Sequence, residues 1–130
     1  LADDPGHEIA SRQMSGFGSV IAFGIRGGME AGARFMDALK VAKRAVSLGC
    51  TDTLVEHPAS MTHLHLTPEE RAAGGITDDL IRVSVGLEPV ESLVSDLTEA
   101  LERASPPIRA AAAQSPSRLD GSRRARPPRT

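Results

Sequence analysis

The apolar positions of this chain change their period several times, and each change marks an element. In residues 19–26, SVIAFGIR, β-branched and apolar residues alternate roughly with smaller ones, which predicts a strand closed by Gly27 and Gly28. Over residues 29–44, Phe35, Met36 and Leu39 recur at helical spacing while Arg34, Asp37, Lys40 and Lys43 fall off that face, so a helix is expected. Residues 45–48 read as a short strand stopped by Gly49, and residues 54–66 as an irregular segment with short extended pieces. Thr67-Pro68-Glu69-Glu70 is a helix start. Threonine caps, proline takes the first helical position, and Glu70 stands three residues on to complete a capping box. LIRVSV, residues 80–85, is the clearest strand pattern. Residues 89–103 form a closing helix with Val90, Leu93, Val94, Leu97 and Leu101 in one apolar stripe. A short helix over residues 5–14, with Ile9 and Met14 apolar, precedes them all.

This order predicts an α/β fold: a small two-layer domain with a mixed or antiparallel sheet and helices on one face. The other sheet face is expected to pack on something outside the chain. After residue 103 the pattern stops. Residues 104–130 are rich in Pro, Ser, Ala and Arg, too poor in large apolar groups to order themselves, and are expected to be a disordered tail. The predicted plan is therefore residues 1–15 as a linker and helix, 16–103 as the domain, and 104–130 as the tail. Charge follows this division: residues 1–102 carry net −8 and residues 103–130 net +6, hidden inside a total of −2.

Composition narrows the chemistry. With 40% hydrophobic and 25% charged residues, the chain suits one soluble domain. Three Phe and no Trp or Tyr argue against a base-stacking nucleic-acid surface. Cys50 is the single cysteine and can form no internal disulfide. No apolar run approaches the roughly 18 residues of a membrane span, and LADDPGHE carries neither signal-peptide feature nor initiator Met. The expectations are a cytoplasmic protein with no membrane or nucleic-acid partner, read from a chain that begins partway through a larger one.

Chemistry-bearing residues gather in LVEHPASMTHLH, residues 54–65. His57, His63 and His65 stand six and two apart, a spacing matching no established zinc site, so metal binding is not expected. There is no GxSxG nucleophile turn, no P-loop or GxGxxG, and no base at a defined spacing from Cys50. Arg82 stands out because it lies inside the apolar strand LIRVSV. A central-strand arginine is costly to bury unless it meets an anion, and its planar fork suits a carboxylate. An edge-strand arginine reaching solvent is the reading that spacing leaves open. Ser47 could be a core hydroxyl bonded to backbone. Lys40 and Lys43, the only lysines, are expected on the solvated side of the second helix.

RQMSGFGSVIAF, GGMEAGARFMDAL, AVSLG, LVEHPASMTH, TPEERAAGGI and LIRVSVGLEPVESLVSDLTEAL, in this order, resemble the C-terminal domain of the Cys/Met-metabolism (trans-sulfuration) pyridoxal-phosphate enzymes, a fold-type I family. The resemblance covers about residues 5–103 and implies roles for particular residues. Arg82 would pair with the α-carboxylate of a sulfur-containing amino-acid substrate, and Ser47 would assist by hydrogen bonding. HPASMTH, with Thr62, would wall the substrate entrance. Val46, in AVSLG where cystathionine-using members show glutamate, resembles methionine γ-lyase and would bear on specificity. Cystathionine γ-lyase or γ-synthase and homoserine sulfhydrylase are the alternatives, and a non-catalytic binding module is another. The cofactor implied for the full-length family is pyridoxal 5′-phosphate, and the implied assembly is a homotetramer. Its Schiff-base lysine belongs to a large N-terminal domain with no match here, and Lys40 and Lys43 do not fit that motif. No catalytic residue is therefore expected in this chain, which would be a fragment inactive alone.

Overall fold

Backbone pairing in the computed structural model, which describes residues 2–104, builds one four-stranded sheet from segments far apart in sequence. The elements run α1 (His7–Gln13), β1 (Val20–Gly24), α2 (Gly28–Ala38), β2 (Lys43–Arg44), β3 (Leu54–Glu56), a 3-10 turn (Pro58–Ser60), α3 (Pro68–Ala73), β4 (Leu80–Ser84) and α4 (Val90–Ala104). The sheet order is β1-β4-β3-β2, with β4 antiparallel to both neighbours and β2 parallel to β3. The mixed sheet expected from the sequence is present. Of the predicted tail, Ala104 is instead the last residue of α4 and is buried, and residues 105–130 lie outside the described residues.

Period-two alternation assigns the two faces. Ile81 and Val83 of β4 are buried, as is Val55 opposite Val83, and Phe23 pairs with Ile81. Against this face pack Ala31, Phe35 and Met36 of α2 with Ala100 and Ala104 of α4. Phe23 meets Phe35 edge to face, with centroids 6.0 Å apart. The opposite face carries Ala22, Arg82 and Glu56 side by side, with Ser84 and Leu54 one step along. Helices thus cover one face, and Arg82 points away from them.

Three expectations are corrected. The second helix ends at Ala38 instead of running to residue 44, and Leu39 turns extended at φ −63°, ψ 137°. The cause lies 54 to 56 residues further on: the Asp96 carboxylate accepts the backbone N–H groups of Lys40, Val41 and Ala42 at 2.8, 3.0 and 2.9 Å. Those groups are then no longer free to continue the helical ladder, and Lys40 and Lys43 lie beyond the helix rather than on it. The short strand predicted at residues 45–48 sits two residues earlier, at Lys43–Arg44, because its register is set by Leu54 and Val55. That partner, β3, is one of the short extended pieces read in residues 54–66, and all three of its residues are buried. In α4 the predicted stripe is split. Leu93 is buried with Asp96, Ala100 and Ala104, whereas Val90 and Val94 are more than half exposed. Leu97 also packs against the core, small alanines let α4 approach α2 closely, and Val90, Val94 and Leu101 lie on the exposed flank.

The cap on α3 forms as read: Glu70 N–H donates to Thr67 Oγ1 at 3.3 Å and Thr67 N–H to Glu70 Oε2 at 2.8 Å. At the far end of the sheet Glu88 accepts Thr53 N–H and Oγ1–H, both at 2.7 Å. These bonds hold its carboxyl below the usual range. Among the described residues no helix is long and apolar enough to cross a membrane.

Candidate functional site

On the face turned away from α2 and α4, β3 and β4 place Glu56 directly opposite Arg82. Glu56 Oε2 lies 2.8 Å from Arg82 Nη2, and the Glu56 side chain is only 2% exposed against 26% for Arg82. Arg82 Nη2 also donates to the backbone carbonyls of Val46 (2.7 Å) and Ser47 (3.1 Å). The segment after β2 is thereby drawn across the sheet face. Gly49 N–H, donating to Ser84 Oγ at 3.0 Å, fixes the other end of that crossing. Thr62 Oγ1 donates to Glu56 Oε1 and lies 2.8 Å from His63 Nδ1. The result is a connected set from Val46 and Ser47 through Arg82, Glu56 and Thr62 to His63.

Three acceptors converge on Nη2, which has two hydrogens, while Nε is buried with no acceptor among the described residues. A buried unpartnered donor is costly, so the guanidinium is only partly satisfied by its own protein. It faces a cavity of about 210 Å³ that Val46, Thr62 and His63 also line, with Glu56, Pro58 and Ile76 completing the wall. A larger depression of about 370 Å³ lies between α2 and the 3-10 turn, where Arg44 and Asp37 close on each other at 2.6 Å. None of the sequence-predicted residues reaches it.

The structure therefore brings Arg82, Val46 and Thr62 to one cavity. Ser47 joins through its carbonyl, and its side chain is exposed. The residue that sequence reading missed is Glu56. Within LVEHP it looks like a polar strand end, and only the β3–β4 register shows that it faces Arg82.

The histidines separate into different environments. His57 is fully buried on the helix side, its Nε2 2.9 Å from the carbonyl of Asp78 and its Nδ1 2.7 Å from Ser60 Oγ. Because the carbonyl can only accept, Nε2 carries the proton. Arg71, itself buried, donates to Leu66 O and Asp78 Oδ1, both at 2.7 Å, and so fixes the same corner. His63 is half-buried at the cavity and His65 is exposed. Among the described residues no three His, Cys, Asp or Glu side chains converge as metal ligands.

Comparison with known proteins places these residues in a wider set. The family profile described as Cys/Met metabolism PLP-dependent enzyme matches residues 1–102. L-methionine gamma-lyase of Fusobacterium nucleatum subsp. polymorphum is 55% identical over 103 residues, 79% of this chain and 26% of that protein. L-methionine gamma-lyase of Pseudomonas putida is 52% identical over 102 residues, 78% of this chain and 26% of that one. Among solved structures, cystathionine gamma synthase from Xanthomonas oryzae pv. oryzae in complex with cystathionine superposes with a TM-score of 0.72 at 48% identity. That match covers 80% of this chain and 27% of the other. The chain spans about a quarter of the length of the curated relatives it matches.

Proposed function

This chain belongs to the Cys/Met metabolism PLP-dependent enzyme family, and from that we propose that it is the substrate-carboxylate-binding part of a methionine γ-lyase-like enzyme, a sulfur amino-acid lyase acting by α,γ-elimination. The observation that carries the reading is Arg82: a mid-strand guanidinium, with one buried donor unpartnered, facing a cavity that Val46 and Thr62 share. A planar guanidinium binds a carboxylate through paired N–H donors and fixes its orientation as well as its charge. The α-carboxylate of the amino acid is held at Arg82, with Ser47 assisting by hydrogen bonding. The side chain of Val46, about half exposed, offers an apolar surface to the thioether chain, and Thr62 stands at the entrance.

Membership implies pyridoxal phosphate as the cofactor of the full-length enzyme. The residues described here do not fit it. Lys40 Nζ is paired with Glu99 at 2.7 Å and Lys43 Nζ with Asp52 at 2.8 Å, and neither lines the cavity. Phe17 stacks on His7, and Phe23 and Phe35 lie with the core, so no aromatic ring is free to cover a cofactor ring at the cavity. In this reading the chain binds and orients substrate, and the cofactor is held by a partner segment within a homotetramer.

A chimera tests this. Residues 1–103 replace the matching segment of the Fusobacterium methionine gamma-lyase, and thiol release from methionine is followed. Activity should persist, and Arg82→Lys should raise KM by about tenfold or more with a smaller change in kcat, because the paired donors become a single ammonium. An unchanged KM would overturn the assignment.

A further inference from the structure

Glu56 has no part in the reading just given, yet it is the most deeply buried charged group at the cavity and the direct counter-ion of Arg82. Both of its oxygens are occupied, one by Arg82 Nη2 and the other by Thr62 Oγ1. Its backbone is held in the sheet opposite Arg82. A carboxylate so held does not swing away when a ligand arrives. We propose that Glu56 is a fixed internal counter-ion that positions the Arg82 guanidinium and limits its affinity for a substrate carboxylate. The inference rests on the carboxylate-binding reading of Arg82.

Two opposed effects follow from one contact. Holding Nη2 against Glu56 and the carbonyls of Val46 and Ser47 removes rotational freedom from a long side chain, so the guanidinium meets its ligand already oriented. The same contact neutralises the guanidinium charge, so an incoming carboxylate meets a repelling carboxylate within a guanidinium's width. At a partly solvated site the charge effect is the larger, because Val46 O and Ser47 O still hold Nη2 when Glu56 is made neutral. Weak carboxylate binding suits a site that must release its product.

The test uses the 130-residue chain and titrates L-methionine calorimetrically. Arg82→Ala should abolish the binding that the unaltered chain shows. Glu56→Gln, which keeps shape and a hydrogen-bond acceptor but removes the charge, should bind on the order of tenfold tighter. Equal or weaker Arg82-dependent binding by Glu56→Gln overturns the counter-ion role while leaving the carboxylate reading intact. Binding that survives Arg82→Ala, or its absence in the unaltered chain, overturns both. Carbon-detected NMR of the unaltered chain gives a second readout that does not require the variant to fold. Saturating methionine should shift the Arg82 Nε–H signal and leave the Glu56 carboxyl carbon in place. A carboxyl signal that moves with the ligand would show displacement, and the proposal fails.

Discussion

The ring of His57 packs against the bare Cα of Gly32, where an added Cβ would stand 2.6 Å from Nε2. The ring is bonded at both nitrogens, to Asp78 and Ser60, and so has no direction in which to yield. Gly32→Ala is expected to cost about 1–3 kcal/mol by overpacking, measured as a lower urea midpoint with an unchanged slope; an unchanged midpoint would refute the packing account. The same contact explains why histidine in HPASMTH gives an ambiguous signal. Its type suggests chemistry, but burial and full bonding make it a wedge between α2 and the segment before β4. At Arg82 the residue type was informative, because an arginine inside an apolar strand demands an anion. What it could not tell was that the first anion is Glu56, from a strand 26 residues earlier.

At the scale of elements, Asp96 does the most to set boundaries. Sitting on α4, it ends α2 by collecting three backbone N–H groups, an arrangement invisible to any local reading of residues 29–44. Burial works against its ionised form, but these bonds and nearby Lys40 outweigh that, and its pKa lies below the ordinary aspartate value. The folded pKa being the lower one, the stability it confers is fully present above the unfolded pKa of about 4 and is lost as pH falls through the folded value. Asp96→Asn should destabilise the chain by about 2 kcal/mol at neutral pH. The gap between variant and unaltered chain should narrow in denaturation series taken below about pH 4. A gap that stays constant on acidification would contradict this account. The α3 cap, by contrast, was legible from four letters, because capping is satisfied within one turn.

For the molecule as a whole, Leu87, ahead of α4, is 81% exposed, Val90 and Val94 on the flank of α4 are 63% and 58% exposed, and β1 leaves Val20 and Ile21 about half exposed. Apolar surface of this extent favours association. The 130-residue chain is expected to self-associate with rising concentration in sedimentation velocity, and Val90→Lys with Val94→Lys should reduce that without lowering the thermal midpoint. Association unaffected by the pair would move the sticky surface elsewhere, with the β1 edge the next to examine.

The sequence by itself determined the elements whose signals are local: the strands around Ile21 and Ile81, the capped helix at Thr67, the helical character of residues 89–103, and the family resemblance carried by ordered motifs. It also singled out Arg82, because burying a charge is costly wherever the strand lies. Tertiary structure alone decided the end of α2, the register of β2, the face of α4 that meets the core, and the partnership of Arg82 with Glu56. Each of these depends on a contact between residues far apart in the chain. Side-chain period and propensity describe what a segment prefers, whereas a distant carboxylate or a paired strand decides which preference is realised.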